Sequence, residues 1–280
     1  MPNKNYAELI PETDDPRLDK MLRFLCRHLV SLWVYYYPID SNGKPIGQPQ
    51  SSAYSGFVLS IQDKWYWVTA GHNLEGLEQS LSDKKIKVIY YNLVDYFGSD
   101  AISHDPIPFV YEEAPKSYNY DKEAGLDFGW VALSPYYQRL LEANNIIPVG
   151  EENWMHQHEV EFDHYLMLGL PEVFIRPEIQ GNEQIIPLSP TFIPITKLTE
   201  IPDDLPKTQY SRFVAKISDD CPLDNIKGMS GGPIFGFDKG YNRYWIVAVQ
   251  SSKRHRIIFA CPVPVFATLV EKMIADQEDR

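Results

Sequence analysis

The feature that most constrains this chain is a rhythm of short runs rich in aromatic and β-branched residues, broken by turn residues over most of its length. In the first half, Ser31–Ile39, Gly56–Ile61, Trp65–Thr69, Ile86–Asn92, Pro108–Tyr111 and Phe128–Leu133 read as strands. In the second half, Tyr165–Gly169, Gln184–Leu188, Phe192–Ile195, Ser211–Ile217, Pro233–Phe237, Tyr244–Gln250 and Ile257–Cys261 do so. Many short strands with turn signals and 22 prolines favour antiparallel barrels or a sandwich over a parallel sheet. Rings pack well on pleated half-buried surfaces, which suits the 18 tyrosines and 6 tryptophans. Helical spacing occurs at three places. Pro16 to His28 carries Leu18, Met21, Leu22, Leu25 and Leu29 at three- and four-residue steps, with Asp15 placed to cap it. Pro135 to Asn144 is a second helix, and Val265 to Asp276 reads as a closing amphipathic one.

At 280 residues the chain is long enough for one large domain or two small ones. The loop containing Pro148 and Gly150 is the candidate boundary between two halves. With 26 basic against 38 acidic residues the formal net charge is -12, a surface that repels phosphate backbones. Lys253-Arg254-His255-Arg256 is the one short basic run, read here as a solvated loop, so no nucleic-acid partner is expected. Cys26, Cys221 and Cys261 form neither a disulfide framework nor a metal-ligand spacing. The polar N-terminus does not read as a secretory signal, and no apolar run approaches the ~18 residues that cross a bilayer. A cytoplasmic location and no membrane partner are the expectation.

Three segments carry chemistry. Gly228-Met229-Ser230-Gly231-Gly232-Pro233 brackets a serine with glycines. A serine hydroxyl is a poor nucleophile until a base takes its proton and donors stabilise the resulting oxyanion. Glycines let the backbone turn tightly enough to aim two amides, those of Gly228 and Ser230, at one point. Trp65-Tyr66-Trp67-Val68-Thr69-Ala70-Gly71-His72 is an aromatic strand that ends in two small residues and a histidine, the side chain suited to general-base work near neutral pH. The small residues leave room for another loop to approach. Gly125-Leu126-Asp127-Phe128 places an acid at the head of an apolar strand, where burial is costly unless hydrogen bonds compensate. Orienting a histidine would supply them. His156, His158 and His164 have the identities of metal ligands but sit in a polar loop-like stretch, and no metal or other cofactor is expected.

These three motifs, in the order His72, Asp127, Ser230, resemble those of the chymotrypsin/trypsin superfamily, especially its disulfide-poor bacterial members. The resemblance implies an all-β protein of two six-stranded antiparallel β-barrels, with helices before and after. An N-terminal extension would cover residues 1–30, the first barrel 31–147 and the second 148–280. It implies a serine endopeptidase whose triad is His72, Asp127 and Ser230, with the Gly228 and Ser230 amides as oxyanion hole. Tyr244 to Ser252 resembles the strand lining the primary specificity pocket, which makes Gln250 and Ser251 candidate substrate-binding residues. Asp224, six residues before Ser230, matches the position of the acidic base of a trypsin-like pocket and is a candidate substrate-binding residue, but variable loop lengths favour reading it as an exposed loop acid. Met229 departs from the aspartate that digestive enzymes pair with a new N-terminus, so the loop must be formed already or ordered by a partner. The expected partner is a protein or peptide substrate. A protein regulator could dock on the N-terminal helix or on the acidic stretch Tyr111 to Glu123. The rival reading is a protease-fold binding module that is silent or partner-activated.

Overall fold

The computed structural model describes residues 16–95, 106–154, 161–174, 178–180, 183–185, 190–200, 207–223 and 225–278. The N-terminal half runs α1 (Pro16–Cys26), β1 (Val30–Pro38), β2 (Gln50–Tyr54), β3 (Phe57–Ile61), β4 (Lys64–Thr69), α2 (Gly71–Ser82), β5 (Ile86–Asp95), β6 (Ile107–Pro108), β7 (Lys116–Asp121), β8 (Leu126–Leu133) and α3 (Pro135–Ala143). The C-terminal half runs β9 (His164–Gly169), β10 (Glu178–Gln180), β11 (Glu183–Ile185), β12 (Thr191–Lys197), β13 (Phe213–Ile217), β14 (Pro233–Phe237), β15 (Tyr244–Arg254), β16 (Ile257–Pro262) and α4 (Val263–Glu278). Where the sequence suggested loops, β2, β7, β10 and α2 are additional elements. The stretch from Tyr111 is a single 3-10 turn followed by β7, not an acidic loop.

The C-terminal half closes into a six-stranded antiparallel barrel in the order β12-β13-β16-β15-β14-β9. Its strands are apolar on both faces, which is why they read as continuous hydrophobic runs. One alternating set, including Met167, Ile193, Ile195, Ala215, Ile217, Ile234, Ile258 and Ala260, forms a single cluster. The other set, including Leu168, Phe192, Phe235, Phe237, Val249 and Cys261, joins a larger core. That core reaches Leu22 and Leu25 of α1, Phe266 and Val270 of α4, and Phe57, Phe128 and Trp130 of the N-terminal half. The rings of Phe128 and Phe266 meet edge to face with centroids 5.1 Å apart. α1 therefore buries the stripe its leucine spacing promised.

In the N-terminal half a second closed barrel is not shown among the described residues. Among those residues this half forms two four-stranded antiparallel sheets, β2-β1-β5-β6 and β3-β4-β8-β7. They meet at one isolated bridge, Leu29 to Phe57, and the Trp67 indole nitrogen donates to the Val30 carbonyl at 2.8 Å. A shared core that includes Leu32, Val34, Trp65, Trp67, Leu93 and Val131 fills the space between the sheets, with Leu74 and Leu77 of α2. Side-chain packing, rather than a continuous hydrogen-bond ladder, joins these two layers.

Two registers position the site. β4 pairs antiparallel with β8, with Thr69 opposite Gly129, so the end of β4 and the start of β8 lie at the same edge. His72, three residues beyond Thr69, thereby comes beside Asp127, two residues before Gly129. In the barrel, Pro233 pairs with Val249, which brings the serine loop alongside Gln250 and Ser251.

Candidate active site

Asp127 is the second residue of β8 and is 6% exposed. Its carboxylate accepts three hydrogen bonds: the His72 backbone N–H at 2.9 Å, the His72 ring Nδ1 at 2.7 Å and the Ser251 hydroxyl. Three donors compensate the burial of this carboxylate, and a bond from Nδ1–H fixes the orientation of the imidazole and leaves Nε2 as its acceptor nitrogen. His72 stands not at a strand end but in the first turn of α2. The small residues before it serve close packing. A side chain at Gly71 would overlap the Asn119 carbonyl, and Ala70 is fully buried.

The serine loop is held from three sides. Within it, the Met229 amide donates to the Ile226 carbonyl at 3.1 Å and the Gly232 amide to Met229 at 3.0 Å. On the barrel side, the Gly231 amide donates to the Gln250 carbonyl at 2.7 Å, and the Gln250 amide to Gly232 at 2.9 Å. Towards the N-terminal half, the Ser55 hydroxyl donates to the Gly228 carbonyl at 2.6 Å while accepting from the Leu170 amide at 3.0 Å. Asn73 completes the seam, donating to the Ser230 carbonyl at 2.9 Å and to the Thr69 hydroxyl at 3.0 Å. Gly228 and Gly231 have φ of 95° and 92°, a region open mainly to glycine. Met229 is fully buried in the barrel cluster, so apolar packing as well as main-chain bonds orders the loop. The Gly228 and Ser230 amides have no hydrogen-bond acceptor among the described residues.

Ser230 and His72 line one cleft of about 350 Å³ together with Gly228, Asn73 and part of β2. The exposed ion pair of Lys227 with Glu172, 2.8 Å, lies on its wall. In this structure the Ser230 hydroxyl donates to the Ser251 carbonyl at 2.9 Å. Ser251 thus contacts both Ser230, through its main chain, and Asp127, through its side chain. Gln250 is buried, 1% exposed, with its amide nitrogen on the Ser252 carbonyl at 3.1 Å. Asp224, His156 and His158 lie outside the described residues. His164 stacks on Tyr241 with ring centroids 4.5 Å apart. Among the described residues no group of three potential ligand side chains could hold a metal ion. Cys26, Cys221 and Cys261 are all free thiols, and burial pushes Cys26 and Cys261 up to about 12. Among the described residues, no helix is long and apolar enough to cross a membrane.

Sequence reasoning gave Ser55, Thr69 and Asn73 no role of their own, although Thr69 lies within the histidine motif. Their bonds to Gly228, to the Ser55 carbonyl and to Ser230 depend on tertiary contacts that local sequence does not show. Ser251 was reached only through the resemblance of its strand, and its bond to Asp127 spans 124 residues.

The closed barrel, the helices at either end and the order of His72, Asp127 and Ser230 give a chain that resembles the chymotrypsin-like serine peptidases. Among solved structures, it is similar to Rv3671c from M. tuberculosis H37Rv, an inactive-form serine-to-alanine mutant, at 13% identity and a TM-score of 0.47, covering 95% of this chain and 96% of that one. It is also similar to the thermostable serine protease AL20 from an extremophilic microorganism, at 12% identity and a TM-score of 0.48, covering 87% of this chain and 98% of that one. No protein-family model and no curated protein matches the chain.

Proposed function

We propose that the protein is a serine endopeptidase that works through an acyl-enzyme intermediate. The observation that carries this reading is the His72 ring bonded at 2.7 Å to a buried Asp127 while sharing a cleft with Ser230 and Gly228. With Nδ1–H held by Asp127, Nε2 accepts the Ser230 proton as the oxygen attacks a peptide carbonyl. The Gly228 and Ser230 amides receive the developing oxyanion, a type of contact worth about 3–4 kcal/mol per donor in the transition state. The imidazolium then protonates the leaving amine, and water repeats the sequence on the acyl-enzyme. No step requires a metal or organic cofactor. A serine-reactive fluorophosphonate should label Ser230, and Ser230→Ala should lower peptide turnover by about a millionfold while the fold persists. A folded Ser230→Ala protein that cleaves peptides at the original rate would remove the proposal.

A second reading is favoured by the position of the Ser230 hydroxyl, which is bonded to the Ser251 carbonyl and not to His72. Reaction requires that hydroxyl to exchange its bond to Ser251 for one to His72. A binding partner that occupies the Ser251 carbonyl would promote the exchange, making the resting chain latent. Fast labelling and cleavage by the purified chain alone would count against latency.

A further inference from the structure

Beside His72 lies a second cavity of about 410 Å³, walled by Tyr120, Lys122, Arg212, Ser252 and Phe259. Its charges come from both halves of the chain. Lys122 sits in the turn between β7 and β8, and Arg212 immediately precedes β13. The Arg212 guanidinium donates through Nη2 to the Lys122 carbonyl at 2.7 Å and lies 5.9 Å from the centre of the Phe259 ring. The Lys122 ammonium lies 5.4 Å from the centre of the Tyr120 ring. Both cations therefore rest against aromatic faces, which hold a cation without neutralising it. Two carboxylates line the same cavity, and each has its hydrogen bonds inside the fold. Asp121 accepts the Glu123 and Ala124 amides at 2.9 and 2.8 Å, closing its own turn, and Asp127 is bonded to His72 and Ser251.

We propose that this cavity receives an Asp or Glu side chain of the peptide, flanking the bond that Ser230 cleaves. The inference rests on the peptidase reading and names its substrate class. A chain of net charge -12 would repel an acidic peptide over most of its surface. Arg212 and Lys122 offset the charges of Asp121 and Asp127 at this one wall, so an acidic side chain meets less repulsion there than on the rest of the surface. A guanidinium anchored by Nη2 on the Lys122 carbonyl and held 5.9 Å from the centre of the Phe259 ring can meet a carboxylate through a two-pronged contact of its remaining N–H groups. The contact would fix the register of the peptide across Ser251 and Ser252 and hence choose which bond meets Ser230.

The test uses matched peptides that differ only in carrying Glu, Gln or Lys at one position near the scissile bond. Cleavage of the Glu peptide should exceed that of its Gln twin by about tenfold in kcat/KM at low salt, and the advantage should shrink at high salt. The Lys122→Glu variant, changed at an exposed turn, should reduce the Glu-to-Gln ratio. The Arg212→Glu and Lys122→Glu double variant should favour the Lys peptide, its folding checked by thermal melting. Equal cleavage of Glu and Gln twins at every position would overturn the inference while leaving the peptidase reading intact. So would a preference that survives charge reversal in a folded variant. Absence of cleavage together with absence of Ser230 labelling would instead sink the peptidase reading. Fluorescence anisotropy of the same peptides on the Ser230→Ala chain then decides the inference. Tighter Glu binding that charge reversal abolishes supports it, and equal affinities refute it.

Discussion

The Ser230 hydroxyl donates to the Ser251 carbonyl at 2.9 Å, and the Ser251 hydroxyl donates in turn to Asp127. The proposed nucleophile and the proposed acid are thus joined through one residue of β15 without passing through the imidazole. An arriving peptide would compete for the Ser251 carbonyl and so release the Ser230 hydroxyl towards His72.

Ser251→Ala removes one of the three donors to the buried Asp127 carboxylate but keeps the carbonyl that Ser230 contacts. A hydrogen bond to a charged group is worth about 1.5–3 kcal/mol, so kcat/KM should fall roughly ten- to hundredfold. KM should change little, because the lost bond orients the site and does not bind peptide. Steady-state kinetics on one peptide will show this, and an unchanged kcat would contradict it.

Asp127→Asn keeps the shape but offers an amide where His72 Nδ1–H needs an acceptor. The imidazole then loses its fixed tautomer, and turnover should drop by about 10⁴-fold, with the residual rate rising at higher pH. A pH–rate profile of the variant against the parent checks both the size and the form of the loss.

Gly231→Ala should fail on two grounds. Its φ of 92° disfavours a side chain, and a Cβ there would overlap the Thr69 hydroxyl and the Ser55 carbonyl across the seam. We expect a loss of more than about 2 kcal/mol in stability together with most of the activity. Urea melts and labelling of Ser230 measure the two effects separately. Near-parental values in both would show that the seam tolerates a wider gap.

His28 predicts an acid-sensitive seam. It is 1% exposed, with Nδ1 on the Ile147 carbonyl at 2.7 Å and Nε2 on the Tyr244 hydroxyl at 3.0 Å. Burial, reinforced by the Arg27 charge and partly offset by the Ile147 bond, lowers its pKa from 6.5 to about 4. The unfolded chain therefore takes up a proton near pH 6.5 that the folded chain refuses until about pH 4. Stability should be full at neutral pH, decline as pH falls through that window and level off below it, a loss on the order of 3 kcal/mol. His28→Gln should flatten that part of the curve in denaturant titrations from pH 7 to pH 4. An identical slope in both proteins would exclude His28 as the source.

Strands that became barrel walls were legible because their short apolar runs are long enough to cross a core and are separated by turn residues. The same local patterning showed α1, α3 and α4. α2 was missed although Leu74, Leu77 and Leu81 have helical spacing, because the aromatic strand ahead of His72 drew the reading of the histidine as a strand end. β2 and β7 are polar edge-type segments whose pairing partners, not their composition, make them strands. Lys253 and Arg254, expected in a loop, continue β15 because its pairing with β16 runs to Arg254 opposite Ile257.

The sequence by itself determined the residue types of the candidate site, their order and the mostly β character, because these depend on side-chain chemistry and on local periodicity. Tertiary structure alone decided that the N-terminal strands form two packed sheets while the C-terminal strands close on themselves. It also decided that Ser251 joins Ser230 to Asp127 and that Arg212 meets Lys122 from 90 residues away. Those relationships are set by strand register and by burial between distant segments, and neither quantity is encoded in any short stretch of chain.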